Sequence, residues 1–386
     1  MQSIKRTVCY IVLALIINSC IEPFFPKELE YEPMLFIQAL VTDNSNIPVT
    51  VELSNTTPLR TSLNEIIPYV KITGALIYIT RDDDTRFYFS ELKDGRYQLT
   101  DPAFALTKGN SYKLVVETAD GHRFESGYEE YRAATPVDAI GYEYAEEKLS
   151  QLGDLHQGYK FNISASGEGT ETTYFRWVPD HTYMYQVPLQ AEKMWNGSQR
   201  IDSQSYEVSV CFKDEDIKGI FIGSTAGLSE NRVVESPLHF VSQYGDMLQV
   251  EYSLHAYQYR ISEAAFNFWY DLRTLIYETG GLYEIQPFKL SGNIACVSDP
   301  PINVAGVFEV AAVTEKRIFV PRPTEFAVVT DKCEPYNVGS GIYPWRLVPP
   351  GSWIIDNDDG YFLTAPNSCF DCREKGGYTA RPPFWE

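Results

Sequence analysis

The 386-residue sequence is acidic: 32 Lys and Arg stand against 52 Asp and Glu, which gives a formal net charge of −20. Binding to phosphate needs local positive charge, and no segment is basic enough to offset this balance, so the composition argues strongly against a nucleic-acid partner. The 27 Tyr and 21 Phe supply far more core-forming material than disordered chains carry, and with 25 Gly and 23 Pro they predict a globular protein of short strands and many turns.

Residues 1–19 have the pattern of a secretory signal peptide. Lys5 and Arg6 precede an uncharged apolar run from Val8 to Ile17, which is too short to cross a hydrocarbon core of ~30 Å. The run leads into Ile17-Asn18-Ser19-Cys20, which resembles a bacterial lipobox. We therefore expect cleavage before Cys20 and acylation of its thiol, with an ordinary signal peptide and a chance cysteine as the alternative.

The segment behind the cleavage site predicts a membrane tether. Cleavage would remove Lys5 and Arg6, leaving 30 basic and 52 acidic residues and a net charge of −22. Acyl chains on Cys20, each contributing ~0.8 kcal/mol per buried methylene, would hold the chain on a membrane without a spanning helix. Residues 20–33 are rich in Pro and Glu and predict an extended lipidated tether. Acidic residues close behind Cys20 resemble surface-export signals of Bacteroidota lipoproteins, so we expect a lipid-anchored outer-membrane protein that faces the cell surface.

Residues 34–132 carry strand patterns at about ten-residue spacing. Apolar residues alternate over Leu35–Leu40 and Val49–Leu53, and Lys71–Thr80 and Lys113–Glu117 are further strand candidates. Short strands separated by Gly and Asp turns predict a first β-sandwich. The run resembles carboxypeptidase regulatory-like and transthyretin-like sandwiches, which are usually scaffolds.

The segment Ala133-Ala134-Thr135-Pro136 breaks the strand pattern and predicts a domain boundary. A second β-rich domain with a cysteine-containing tail would then span residues 137–386. Its strand candidates are Lys160–Ser164, Tyr174–Val178, Tyr206–Phe212 and Val250–Ile261. The predicted fold is mainly β, with tandem immunoglobulin- or transthyretin-like sandwiches.

One amphipathic helix is predicted within the C-terminal domain, near residues 263–278. Ser262 supplies an N-cap and Glu263 an acidic first turn, and aromatic and aliphatic residues recur at three- and four-residue intervals up to Gly280-Gly281. The aromatic face of this helix either packs on the second sandwich or docks a partner, and the sequence leaves both open.

The sequence offers little sign of catalysis. It contains no HExxH, no GxSxG and no P-loop motif, and its five His residues show no metal-ligand spacing. The acidic run Asp356–Gly360 does not fit a calcium-binding EF-hand loop, because Ile355 occupies the first ligand position. We therefore expect a protein that is not an enzyme and that needs neither a cofactor nor a metal.

Cysteine usage predicts disulfides in the exported chain. Apart from Cys9 and Cys20, five cysteines remain, and an odd number leaves at least one thiol free or paired outside the chain. Cys369-Phe370-Asp371-Cys372 is a CxxC motif, which redox enzymes and zinc sites also use. We expect a structural bond from Cys333 to either Cys369 or Cys372, which would close a loop of about 35–40 residues and contribute ~3–4 kcal/mol.

Several short motifs together resemble one protein family. They are Cys20-Ile21-Glu22-Pro23-Phe24, Leu40-Val41-Thr42-Asp43, Phe266-Asn267-Phe268-Trp269, Gly292-Asn293-Ile294, Gly306-Val307-Phe308, Cys333, Cys369-Phe370-Asp371-Cys372-Arg373, Gly376-Gly377 and Pro383-Phe384-Trp385. Over nearly the whole mature chain they are similar to a Bacteroidota outer-membrane lipoprotein family catalogued only as domain of unknown function 4249. Members look like lipoproteins that accompany TonB-dependent, SusC-like barrels, and the family carries no established catalytic residues.

The resemblance implies an accessory subunit of such a barrel, in substrate uptake or in the export and assembly of surface proteins. Its partners would be the barrel and further outer-membrane lipoproteins. The candidate contact residues are Trp269, Tyr270, Phe384 and Trp385. The alternative function is a stand-alone surface lipoprotein that binds glycans or peptides on an aromatic platform, for which Tyr183, Tyr185 and Trp195 are candidates.

Overall fold

The computed structural model describes residues 34–56, 70–149, 153–277, 290, 292–339, 344–356 and 362–385. Over these residues the protein is mainly β, with one α-helix, which agrees with the fold class that the sequence predicts. None of the helices in this part of the chain is long and apolar enough to cross a bilayer. The predicted signal peptide, Cys20 and the tether over residues 20–33 lie outside the described residues.

The secondary-structure elements follow the alternation and turn signals of the sequence. The strands of the first part are β1 Leu35–Thr42, β2 Thr50–Asn55, β3 Leu76–Arg81, β4 Arg86–Lys93, β5 Arg96–Leu99, β6 Ser111–Glu117, β7 Arg123–Ser126 and β8 Glu129–Glu130. They are followed by β9 Val137–Lys148, β10 Leu155–Ser166, β11 Tyr174–Gln186, β12 Lys193–Trp195, β13 Arg200–Asp202, β14 Val210–Asp216, β15 Phe221–Ser224, β16 Arg232–Ser242 and β17 Glu251–Ile261. The last part contains helix α1 Glu263–Tyr277 and strands β18 Ile294–Cys296, β19 Val304–Pro321, β20 Tyr336–Val338, β21 Ser352–Asp356 and β22 Phe362–Thr364. Short 3-10 helices cover Ser205–Val208, Trp345–Leu347, Asn367–Cys369 and Cys372–Lys375.

The first hydrophobic core lies inside a sheet that folds over on itself. The strand order is β19-β1-β2-β5-β4-β3-β6-β7-β18, and both end strands of this path contribute side chains to the same core. Alternate residues of each strand face inward, as in Ile37, Ala39 and Val41 of β1, which are all fully buried. The predicted N-terminal sandwich is therefore built around one continuous core.

The second core lies between two facing sheets. A three-stranded sheet, β16-β10-β9, packs against the strands β14-β11-β17-β19, and large aromatic residues such as Phe161, Trp177 and Tyr252 fill the space between them. A smaller sheet, β13-β12-β21-β22-β20, has its own core around Trp353 and Phe370. The C-terminal region is thus a sandwich with an added small sheet.

The 18-residue strand β19 connects the two cores, which the sequence did not reveal. Residues 304–311 pair in parallel with β1, and residues 312–321 pair with β17. In the first half of β19 one face, including Phe308, enters the first core, while the other face, including Val307, packs beneath α1. The boundary predicted at residues 133–136 therefore separates two cores but not two independent domains, because β18 and β19 return to the first core. All described residues belong to one compact unit.

Candidate partner-binding surfaces

Helix α1 is fixed to the outer face of the sheet by its aromatic residues. Ser262 caps the helix by accepting a hydrogen bond from the backbone N–H of Ala265 at 3.2 Å. Phe268 is 1% exposed, and Trp269 donates its indole N–H to Oε1 of Glu309 at 3.0 Å. Trp269 is thus part of the core, and its assignment as a partner contact is wrong, since only 9% of its surface is exposed.

Glu309 is a buried carboxylate below the helix. Arg176 donates from Nε to Oε1 of Glu309 at 3.0 Å, and its guanidinium lies over the rings of Trp269 and Tyr259, at 4.9 and 4.8 Å from the ring centroids. Oε2 of Glu309 has no hydrogen-bond partner among the described residues. The Arg176 charge and the indole N–H together compensate for removing this carboxylate from water.

A second buried carboxylate, Glu129, connects the start of α1 to the first core. Asn293 donates from Nδ2 to Glu129 at 2.7 Å, and the Ser262 hydroxyl also hydrogen-bonds to Glu129. Burial raises the pKa of Glu129, while these two hydrogen bonds act in the opposite direction. The start and the middle of the buried side of α1 are therefore held by polar contacts, at Ser262 and Trp269, as well as by packing.

The opposite side of α1 is open to solvent and rich in the residue types that dominate interfaces. Tyr270 is 47% exposed and Tyr277 is 61% exposed, and the guanidinium of Arg273 lies 5.4 Å from the ring centroid of Tyr270. Positions 270, 273 and 277 fall on one side of a helix, so they form a continuous stripe, which we call the α1 stripe. Tyr270 remains a candidate contact, and Tyr277 is one that sequence reasoning missed although it shares the same helical spacing.

The C-terminal tail packs against the outer face of the β14-β11-β17-β19 sheet. Trp385 is 5% exposed, because its ring packs edge-on against Phe212 and Phe319, at centroid distances of 5.0 and 5.2 Å. Its indole N–H donates to Glu251 at 2.7 Å. Trp385 is therefore a structural anchor and its assignment as a partner contact is wrong. Phe384 beside it is 39% exposed and remains a candidate.

Two disulfides fix the tail and the small sheet. Cys333 is bonded to Cys369, which is one of the two pairings that the sequence predicts and closes a loop with a sequence separation of 36. Cys372 is bonded to Cys211, a pairing that sequence reasoning missed because 161 positions separate the two residues. The two cysteines of the CxxC motif thus belong to different disulfides and form no dithiol pair. Cys296 is free and buried.

Two glycines in the family-like motifs permit close backbone approaches. A Cβ atom added at Gly292 would lie 1.4 Å from the carbonyl oxygen of Gly306. The neighbouring Asn293 uses this proximity to pair with the backbone of Phe308, donating to its C=O and accepting from its N–H, both at 2.8 Å. A Cβ at Gly377 would lie 2.4 Å from the Tyr185 hydroxyl. These motif residues are therefore structural.

The aromatic platform considered for ligand binding is not formed as expected. Tyr183 and Tyr185 are 5% and 1% exposed, and burial raises the pKa of the Tyr185 hydroxyl to about 12. Trp195 stacks on Trp345 at a centroid distance of 4.6 Å. Near it lies an open cavity of about 280 Å³, lined by Gln190, Ala191, Glu192, Lys193, Tyr206, Ile354, Ile355 and Asp356.

The outer sheet face between α1 and the C-terminal tail carries a polar cluster. The two ring nitrogens of His255 lie 3.0 Å from Asp180 and 3.2 Å from Glu315, and Arg317 lies 3.9 Å from Asp180. The carboxylates flank the imidazole and do not converge on a common point. In the described part of the chain no group of three or more His, Cys, Asp or Glu residues is arranged to hold a metal ion. Residues 357–360 of the acidic turn lie outside the described residues.

These features define a class of protein: a mainly β, disulfide-bonded chain whose conspicuous aromatic motifs are largely built into its cores. The family model described as a domain of unknown function, DUF4249, matches residues 21–317, and the chain belongs to this family. Neither a curated protein nor a solved structure matches the chain.

Proposed function

We propose that this chain is a surface-exposed outer-membrane lipoprotein that acts as an accessory subunit of a TonB-dependent, SusC-like barrel. It would serve the barrel in substrate uptake or in the export and assembly of surface proteins. The lipobox-like sequence at Cys20 and the two disulfides support this proposal, since disulfides persist in oxidising compartments outside the cytoplasm.

The α1 stripe is the observation that carries the partner-binding role. Tyr and Arg are enriched among the residues that contribute most to binding energy at interfaces. The stripe has a rigid support, because the reverse side of the helix is held by Phe268 in the core and by the hydrogen bond from Trp269 to Glu309. A preorganised surface of this kind loses little conformational entropy when a partner binds.

Lipid anchoring would allow this surface to be small. A chain held on the same membrane as its partner binds in an effectively intramolecular reaction, at effective concentrations that reach the millimolar range for short linkers. Contacts too weak to hold a complex between free proteins would then suffice. The mature chain, with 30 basic and 52 acidic residues and a net charge of −22, would select a partner face of positive charge.

The proposal is tested by affinity purification of the tagged lipoprotein from outer membranes in mild detergent, with mass spectrometry of the co-purifying proteins. We expect stoichiometric recovery of a large β-barrel, and at least a tenfold lower recovery with the double variant Tyr270→Ala/Tyr277→Ala. Tyr88→Ala is the matched control, because Tyr88 is 51% exposed on β4. Recovery of the protein alone at low salt would contradict the proposal and favour the stand-alone glycan- or peptide-binding lipoprotein.

A further inference from the structure

Among the strands that the structure describes, only β10 pairs with β9, so the other edge of β9 is free of them. Strand β9 is the outermost strand of the β16-β10-β9 sheet and pairs with β10 over its whole length. Outside that ladder, none of the backbone hydrogen bonds found in the described part of the chain involves residues 141–148. The ladder shows no register shift from Leu155 to Ser164, and β9 contains no proline. Natural edge strands are commonly protected by bulges and prolines, and this one has neither device over residues 141–148.

The pattern of the β10 hydrogen bonds shows which β9 groups point outward. Gln243 donates its backbone N–H to the carbonyl of Gln157 at 2.7 Å, so the backbone groups of Gln157 face the β16 side. Gln157 lies opposite Glu146 in the antiparallel ladder, which makes this a pair without mutual hydrogen bonds. The N–H and C=O groups of Glu146 therefore point away from the sheet, and by the period of two so do those of Tyr144 and Tyr142.

The side chains of Tyr142 and Tyr144 extend the second core to the surface. Tyr142 is 42% exposed and its ring lies 5.0 Å from that of Tyr159, while Tyr144 is 45% exposed and lies 5.9 Å from the ring of Phe326. Tyr159 and Phe326 are themselves buried members of the second core. An added strand would thus find an apolar surface next to the core on its inward side.

The alternate positions of β9 carry negative charge. Glu143 and Glu147 lie on the face opposite the tyrosines, and Glu147 is 3.4 Å from Lys160 on β10. A strand added to this edge would place every second side chain beside the tyrosines and the others beside these carboxylates. Its best complement alternates apolar residues with Lys or Arg.

We propose that the free edge of β9, residues 141–147, binds an extended cationic segment of a partner protein as an added β-strand. The main-chain groups of Tyr142, Tyr144 and Glu146 would supply the hydrogen bonds, and the alternating side chains would select the sequence. A second copy of this chain fits poorly, since it would bring three carboxylates from each β9 strand, Glu143, Glu146 and Glu147, together along one seam. The inference deepens the proposed function, and rests on it only for the identity of the partner.

Hydrogen exchange on the mature protein tests the geometry directly. The probe is a nine-residue peptide of alternating Val and Lys, acetylated and amidated at its ends, with a Val and Glu peptide as the matched control. Binding of the Lys peptide should slow exchange of the Tyr142, Tyr144 and Glu146 amides at least tenfold. The Glu143 and Ala145 amides, which the ladder to β10 already protects, should not change. Equal binding of both peptides, or protection elsewhere in the chain, would overturn the proposal.

Two variants separate main-chain pairing from charge. Glu146→Pro removes an outward N–H without removing a bond to β10, and should weaken binding of the Lys peptide at least tenfold by fluorescence anisotropy. Glu143→Lys/Glu147→Lys should reverse the preference, so that the Glu peptide binds more tightly. Glu171→Lys/Glu230→Lys has the same change in net charge at exposed positions outside β9 and should retain the preference for the Lys peptide. Unchanged preference in the β9 charge variant would overturn the proposal even if Glu146→Pro failed to fold.

Failure of the β9 edge as a binding site can be distinguished from failure of the proposed barrel-subunit function. If affinity purification recovered a barrel at wild-type levels with both β9 variants, the accessory role would stand, but the β9 edge would not take part in it. Peptide binding with the expected exchange pattern, without recovery of any barrel, would retain the edge site and reject the barrel as its partner.

Discussion

The indole N–H of Trp269 donates to Oε1 of Glu309 at 3.0 Å, and Nε of Arg176 donates to the same oxygen at the same distance. One carboxylate oxygen thus joins helix α1, strand β11 and strand β19. Because Glu309 is 1% exposed, each of its two partners matters for the energy of the folded state.

Arg176→Met should destabilise the protein strongly. Loss of the guanidinium leaves a buried carboxylate with the Trp269 indole as its remaining hydrogen-bond donor among the described residues. Breaking a buried ion pair from one side costs about 3–5 kcal/mol. The measurement is the free energy of unfolding in urea, with the surface variant Arg132→Met as control, since Arg132 pairs with Glu130 in solvent. A loss below about 1 kcal/mol for Arg176→Met would show that the pair contributes little.

The sequence predicted the local elements better than their partners. The period of three and four residues places α1 correctly, because this pattern is a local property of the chain. The same aromatic residues left open whether Trp269 is core or interface, since periodicity shows which residues share a face but not what covers it. The burial of Trp385 could not be predicted from local sequence either, because the residues that cover it, Phe212 and Phe319, are distant in sequence.

Local sequence patterns could not predict which distant segments pair, and the reason is physical. The Cys211–Cys372 bond and the parallel pairing of β19 with β1 depend on how the chain closes over more than 150 residues. Hydrophobic alternation is the same for any partner strand of suitable register, so it cannot select one. The free edge of β9 was missed for the same reason, since an edge is defined by the absence of a neighbour.

Trp385→Ala and Phe384→Ala should separate a structural from an exposed aromatic residue. Trp385 loses its packing against Phe212 and Phe319 and the hydrogen bond to Glu251, which should lower the free energy of unfolding by about 3–5 kcal/mol. Phe384 is 39% exposed beneath the Arg317 guanidinium, so its truncation should cost no more than about 1 kcal/mol. Urea unfolding of both variants checks this, and equal losses would contradict the assignment.

The thiol chemistry should show one free cysteine. In a form of the protein without Cys9 and Cys20, four of the five remaining cysteines are in disulfides and Cys296 is free but only 5% exposed. A maleimide should therefore label less than a tenth of the native protein in an hour and one thiol per chain in denaturant. Cys296→Ser should abolish the labelling in denaturant. Labelling of the native wild-type protein would show that this region opens readily.

Loss of the Cys211–Cys372 bond should destabilise the tail and the second core together. The chain-entropy model assigns about 5 kcal/mol to a loop with a sequence separation of 161, and about 4 kcal/mol to the separation of 36 closed by Cys333–Cys369. The double variants Cys211→Ser/Cys372→Ser and Cys333→Ser/Cys369→Ser should each lower the free energy of unfolding by about 2–5 kcal/mol. Unchanged urea unfolding of either variant would contradict its structural role.

Gly292→Ala should prevent correct folding. A Cβ atom there would overlap the carbonyl of Gly306, and the strained backbone would also pull Asn293 away from Phe308. Gly127→Ala is the matched control, because a Cβ at Gly127 would meet nothing within 4 Å. Soluble yield and urea unfolding should fall sharply for Gly292→Ala and change by less than about 1 kcal/mol for Gly127→Ala. Similar behaviour of the two variants would mean that the Gly292–Gly306 approach is not required.

Acid should destabilise the protein through His239, which lies on β16 next to Leu238 of the second core. Burial, with a smaller effect of the neighbouring His181, lowers the pKa of His239 to about 4, and its Nε2 has no hydrogen-bond partner in the described part of the chain. His181 lies 5.6 Å away between ring centroids and hydrogen-bonds to Tyr252 at 2.8 Å, and burial lowers the pKa of His181 as well. The carboxylate of Glu215 lies 3.6 Å from Nε2 of His181.

The unfolded chain binds a proton at His239 near pH 6.5, whereas the folded chain does so only near pH 4. The contribution of neutral His239 to the free energy of unfolding is therefore fully present above pH 6.5 and is lost as the pH drops toward 4. At pH 5 the loss from this residue is about 2 kcal/mol. His239→Gln should remove that part of the pH dependence, while His122→Gln, at the exposed turn beside Asp120, should retain it. The measurement is the free energy of unfolding in urea at pH 7 and pH 5, compared between each variant and the wild type so that the titration of the carboxylates cancels. If the free energy of unfolding fell by the same amount from pH 7 to pH 5 in His239→Gln and in the wild type, proton uptake by His239 would not limit the acid stability.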